Sequence, residues 1–337
     1  MYILDEQIGK YRTQIMGIAT IGVLLVHSND IVTWPGYIEF IFGYGGIGVY
    51  IFVFLSAIGL YNSLKSRGVG YSKISFYKRR LTRLIIPYCM IAATWYGIKD
   101  LIINGSLSFF LYDFSTLSFW IDHKGAWYVA MLIPVYLAFP WFYDWTERNR
   151  NVRSGLSFVI VISLSAVCSS FLPDMYKHLA QVFSSFVVYL IGCWYAGLKL
   201  KSNRNSLILG GVCLFLFLIK SLTPLKKVDF ITIITWAMLG IPFTFIFAYL
   251  LDRFDSKYIN IVLTFLGKYS LEMYLWNIFV IQAARIFGVF DTVKEYGDKN
   301  GYVSYGIVIV TGCLLSVIYG KLSCIVVRKP IRSLKRS

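Results

Sequence analysis

Apolar and polar positions alternate along this chain on a long scale. Stretches of about 17–26 residues with almost no charge are separated by short gaps rich in Lys and Arg. Ten such stretches run over 13–29, 37–62, 84–103, 126–145, 155–173, 179–199, 206–222, 229–251, 270–290 and 302–327. A helix needs about 20 mostly apolar residues to cross a bilayer. In lipid every backbone N–H and C=O must be satisfied within the segment, so such stretches are helical. The pattern therefore predicts an all-α, polytopic integral membrane protein with about ten transmembrane helices, built as a single domain over 1–337. The run 259–267 is apolar but short, and reads as an interfacial lead-in to the ninth span. The first stretch is too long for a signal-peptide core, and Asp5 and Glu6 precede it where a basic run would be expected.

Composition sharpens this picture. Hydrophobic residues make up 57% of the chain and charged residues 15%, against roughly 45–50% and about 25% in soluble domains. That balance excludes a disordered chain, a basic nucleic-acid-binding domain and a disulfide-stapled module. The net charge of +16 reads instead as an orientation signal, because the basic residues cluster in the gaps. With the termini inside, the inner segments hold 22 Lys and Arg and the outer segments 7. The bias puts both termini in the cytoplasm of a multi-pass protein of the plasma (inner) membrane, in contact with lipid and with no nucleic acid. The six cysteines make no CxxC pair and no His stands at metal-ligand spacing. They read as small buried apolar residues, with no metal site.

Ionisable groups at membrane depth are costly, so they are functional candidates. His27 lies near the outer end of the first span, about 21 Å above its inner end at about 1.5 Å per residue. It suits proton transfer near neutral pH, and equally suits a structural bond to a carbonyl. Glu272 and Asn277 fall in the ninth span, where Glu272 also fits the inner membrane edge. Arg285 lies eight residues beyond Asn277 on a similar face and can snorkel outward. Lys78, Arg79, Arg80 and Arg83 crowd the inner edge of the third span. They fit lipid-headgroup anchoring or a dock for phosphates, since guanidinium groups match phosphate oxygens. Gly43-Tyr-Gly-Gly-Ile-Gly48 follows no strand and ends in no Lys-Ser/Thr, so it suggests close helix packing and not a phosphate loop. His123, Trp127 and Tyr128 stand at the outer entrance of the fourth span. The two aromatics fit an interfacial belt, and His123 fits a solvated loop or a pocket near His27.

Taken in order, these pieces resemble the membrane-bound acyltransferase-3 family. Met16 to His27 looks like its opening helix, which ends in the catalytic His. Gly48-Val-Tyr-Ile-Phe-Val-Phe-Leu-Ser56-Ala57 resembles its GVDxFFxLSG segment. Phe76 to Tyr88 is similar to its FYxRRxxRxxPPY segment. Trp127-Tyr128 through Pro140 looks like its fourth helix, and Phe265 through Asn277 resembles FLGxxSxxxYLxH. Arg328-Lys-Pro330 looks like its terminal basic motif. Some positions depart from the pattern. The family's R-x10-H has Met16 at the basic position, and the nearest substitute is Arg12. Eleven residues leave a helix about 20° from a whole number of turns and fifteen about 60°, so Arg12 still reaches the same side. The family's acidic position is Tyr50 here, and its ninth-helix His is Asn277.

The resemblance implies O-acylation of a cell-surface or lipid-linked glycan hydroxyl. Cytosolic acyl-coenzyme A, acetyl-coenzyme A in the first instance, would be the co-substrate, and no bound cofactor is expected. Lys78, Arg79, Arg80 and Arg83 would take the donor's phosphates. His27 would act as general base or transient acyl carrier. Arg12 would orient the donor. Tyr50, Ser56, His123, Trp127, Tyr128, Glu272 and Asn277 would line the pocket. The altered positions keep a second reading open: a silent relative acting as a transporter, a flippase or a partner of polysaccharide-assembly proteins. Transporters commonly show internal repeats, and no clear repeat relates the two halves of this chain.

Overall fold

Helices run through the described part of each of the ten apolar stretches in the computed structural model, which describes residues 4–68, 71–198 and 203–333, with side chains to 327. The described residues form α1 Leu4–Lys10, α2 Arg12–Ser28, α3 Gly36–Gly43, α4 Ile47–Lys65, α5 Lys73–Tyr96, α6 Leu107–Phe114, α7 Leu117–Asp122, α8 Trp127–Glu147 and α9 Arg150–Phe171. They continue as α10 Pro173–Gly197, α11 Asn203–Leu222, α12 Asp229–Met238, α13 Gly240–Arg253, α14 Lys257–Lys268, α15 Ser270–Ile286, α16 Val289–Glu295 and α17 Tyr302–Ser333. No strand occurs among the described residues. The basic residues Lys199, Lys201, Lys335 and Arg336 lie outside them, and Arg328-Lys-Pro330 falls beyond the last described side chain.

Seven helical segments among the described residues are long and apolar enough to cross a membrane, or eight if the bent α15–α16 pair is one span. Their surfaces agree with that environment. In α9 only Ser165 and Cys168 are buried, while Val159, Leu164, Val167 and Phe171 face outward. Such an apolar exterior is stable only against lipid. The spans differ in detail from simple rods. The second is α3 and α4 joined by a tight turn at Tyr44–Gly46. The eighth is α12 and α13, broken at Leu239, where Pro242 has no N–H with which to continue the ladder. The third begins at Lys73, so the basic segment is the first turns of the spanning helix itself. It ends in a π-helical turn, Gly97–Ile103. The cysteines are all free, but only Cys168, Cys193 and Cys213 are buried. Cys89 and Cys313 are half-buried and Cys324 is exposed, because those faces look outward.

The helices assemble into two compact units, each drawn from three separated parts of the chain. The first comprises residues 1–23, 44–71 and 141–268. Its packing uses glycine where backbones meet. A Cβ on Gly45 would fall on the Gly22 carbonyl, and one on Gly48 on that of Ala19. Gly17 and Gly267 play the same part between α2 and α14, and Gly192 lies against Ala57 and Phe54. Small residues admit this close approach between membrane helices. At one end Glu147 accepts from the Tyr61 hydroxyl and from Arg150 Nε at 3.0 Å. Arg150 also donates to the Gly197 carbonyl, which ties α4, α8, α9 and α10 together.

The second unit comprises residues 24–43, 72–140 and 269–337. Here α5, α15 and α17 pack on one another. Trp95 Nε1 donates to Gln282 Oε1 at 3.0 Å, and Thr94 pairs with the Tyr319 hydroxyl at 2.8 Å. Asp298 caps α17 by accepting from the Ser304 N–H and hydroxyl, at 2.8 and 2.7 Å.

Candidate active site

The end of α2 carries the strongest constellation. His27 stands in the helix's last turn with 29% of its side chain exposed. Ser28 Oγ donates to the Leu25 carbonyl at 2.6 Å, and Trp34 Nε1 donates to Ser28 Oγ at 2.9 Å. These bonds fold the following loop back over the helix end. The loop brings Asp30 Oδ2 to 3.8 Å from His27 Nδ1. That is an ion-pair distance and not a hydrogen bond. The imidazole holds the Asp30 carboxyl below the usual carboxylate range, with a smaller contribution from Arg285. Asp30 carries no motif. Its only mark in the sequence is its place three residues after a histidine that ends a helix.

Arg12 opens the same helix. Fifteen residues separate it from His27, about 22 Å at about 1.5 Å per residue, and the two belong to different units. Within its own unit Arg12 donates from Nη2 to the Leu55 carbonyl at 3.3 Å. Its guanidinium rests on Gly59, where a Cβ would come within 2.9 Å of Nη2. Gly59 is thus a glycine because an arginine occupies the space. Tyr50 and Ser56 lie on the same helix, α4. Tyr50 is 4% exposed, its hydroxyl 3.0 Å from Ser184 Oγ and its ring edge-on to Trp236. Ser56 is half-buried.

The basic segment of α5 starts at Ser72, whose hydroxyl caps the helix by accepting from the Ser75 N–H. Phe76 is buried and stacked on Phe139, and the Tyr77 hydroxyl donates to the Leu137 carbonyl at 2.8 Å. These aromatics fasten the segment to α8. Arg79 turns back on its own helix and donates to Ser75 O at 3.1 Å and Ser75 Oγ at 2.8 Å. Arg80 is half-buried, whereas Lys78 and Arg83 are exposed.

The other expected site residues sit in the second unit. The Tyr128 N–H donates to the Tyr274 hydroxyl at 3.3 Å, with Trp127 against the Tyr128 ring. His123 adopts a left-handed backbone, φ 60°, and its ring meets Phe119 edge-on. Glu272 is buried on α15. Asn277 is 2% exposed, and neither its Oδ1 nor its Nδ2 has a hydrogen-bond partner. Among the described residues no three His, Cys, Asp or Glu side chains gather as metal ligands.

The sequence model of a family described as an acyltransferase domain, acyltransferase-3, matches residues 15–320. Neither a curated protein nor a solved structure matches the chain.

Proposed function

We propose, for a chain that belongs to the acyltransferase-3 family, that it carries an acyl group from cytosolic acyl-coenzyme A to a glycan hydroxyl at the cell envelope, with His27 at the reacting centre. The observation that carries this reading is the pairing of a half-buried His27 with Asp30 at the end of a long apolar helix. Ten spans with both termini in the cytoplasm go with it, supported by helices through the described part of all ten stretches and by the 22 to 7 distribution of basic residues. His27 then lies toward the outer side and Arg12 toward the inner.

His27 Nε2 takes the proton of the acceptor hydroxyl as its oxygen attacks the thioester carbon. The new C–O bond forms, the C–S bond breaks, and the coenzyme A thiolate takes the proton back from the imidazolium. In the variant with a transient acyl-imidazole, Nε2 attacks the thioester carbon and the coenzyme A thiolate leaves; the acceptor oxygen then attacks the acyl carbon, the C–N bond breaks, and the hydroxyl's proton passes to the thiolate. Asp30, at ion-pair distance from Nδ1, supports both by offsetting the imidazolium charge. At the inner edge Lys78 and Arg83 offer exposed cations to the donor's phosphates, beside Arg80. Arg79, bonded to Ser75, shapes the segment in its resting form.

The experiment uses membranes from cells producing the full chain, labelled acetyl-coenzyme A, and the envelope glycan already present. His27→Ala is expected to lower label transfer at least 100-fold at unchanged protein level. Transfer within threefold of the parent would remove His27 from the chemistry.

A further inference from the structure

We propose that Tyr305 is a positioning residue for His27, acting through the backbone of α2. The inference rests on the reading of His27 as the proton-transfer group. Tyr305 stands in the first turn of α17, 8% exposed, and its hydroxyl donates to the Leu24 carbonyl, three residues before His27. Its ring is held by Val32, Ile281 and Val308. The Leu24 carbonyl belongs to the last turn of α2, and helix ends fray unless something outside the helix holds them. A rigid phenol bonded there fixes the height and rotation of the turn that carries the imidazole.

Asn277 does not share this bond, since neither of its amide atoms has a hydrogen-bond partner. It lines a cavity of about 10 Å³ with Leu24, Met273, Val308, Ile309, Gly312 and Cys313. That space suits one water molecule at most and admits neither a thioester nor a sugar. The phenol gives its one proton to the Leu24 carbonyl, so α17 holds the end of α2.

The test removes one oxygen atom. Tyr305→Phe keeps the ring and its packing and loses the bond to Leu24. The probe is diethyl pyrocarbonate on the purified full chain in detergent, with carbethoxylation followed peptide by peptide. His27 is expected to react at least threefold faster in Tyr305→Phe, while exposed His178 reacts at the parent rate. In membranes, transfer from labelled acetyl-coenzyme A is expected to fall about tenfold in kcat, with KM for the donor within twofold and Tm within a few degrees. Unchanged His27 labelling together with unchanged kcat overturns the inference. A change confined to Tm and protein yield overturns it too, since a merely structural bond would do that. If His27→Ala retains activity, the functional reading fails on its own, whatever Tyr305→Phe shows.

Discussion

Gly59 and Arg12 offer a perturbation that separates stability from function. In Gly59→Ala the three atoms nearest the new methyl all belong to the Arg12 guanidinium, with Nη2 at 2.9 Å, Cζ at 3.2 Å and Nη1 at 3.7 Å. The obstacle is the far end of a flexible side chain, so it moves aside and α4 keeps its course. Alanine in a helix interior gains up to about 1 kcal/mol over glycine. The displaced Arg12 loses its bond to the Leu55 carbonyl, and bonds to charged groups contribute about 1.5–3 kcal/mol. At 3.3 Å the lower part of that range applies. The loss exceeds the gain, leaving a net loss of about 0.5–2 kcal/mol, or a few degrees in Tm. Acyl transfer responds differently if Arg12 orients the donor from this position. A drop of about 10- to 100-fold is expected, because a displacement of about 1 Å costs about 10²-fold in well-aligned chemistry. The assay is label transfer in membranes beside a melting curve of the purified chain. Arg12→Ala is expected to match the loss, and the double variant to lose no more than either single one, as for groups acting as a unit. Full activity in Gly59→Ala beside an inactive Arg12→Ala would refute the placement of Arg12 against α4. Gly9→Ala, which meets nothing within 4 Å, controls for the substitution itself.

Two further outcomes follow from the same geometry. Gly45→Ala sets a methyl onto the Gly22 carbonyl, whereas Gly43→Ala meets nothing within 4 Å. Melting of the purified chain should drop for the first, by the equivalent of at least about 1–3 kcal/mol for overpacking, and stay near the parent for the second. Equal melting would end the packing account of the Gly43–Gly48 segment. Asp30, held below the usual carboxylate range by His27, binds protons more readily unfolded than folded. Its contribution is therefore complete above the unfolded value, about 3.9, and is lost as pH falls through the lower folded value. The Tm difference between the parent and Asp30→Asn should shrink progressively as pH falls below about 3.9. A difference that widens on acidification would contradict the pairing with His27. The effect is small, because the Asp30 side chain is 60% exposed and solvent screens it.

The helices were legible in the sequence because lipid leaves the chain no other choice. A run such as 155–173 has to satisfy its backbone internally, and α9 does so over Arg150–Phe171. Limits drawn from apolar content stop where charge begins, but the hydrogen-bond ladder does not. Hence α5 starts at Lys73 and carries Lys78, Arg79, Arg80 and Arg83 on a helix where the pattern suggested only a basic approach to one. Gly45 and Gly48 spoke through their type, since backbone contact excludes a side chain. The division into two units left no trace because each is drawn from three separated stretches, with no linker to mark a border. The surroundings of His27 were hardest to read. Asp30 is one acid among 17 Asp and Glu, and only the turn closed by Trp34 and Ser28 brings it to the ring. Tyr305 is one of 25 tyrosines, and its partner carbonyl is 281 residues away. An interaction that a backbone carbonyl accepts puts no constraint on the identity of Leu24, so no pattern of side chains could announce it. What sequence reveals best in such a protein is therefore an ionisable group at membrane depth. What it hides is the scaffold around that group, because a bond to a main-chain atom marks no side chain.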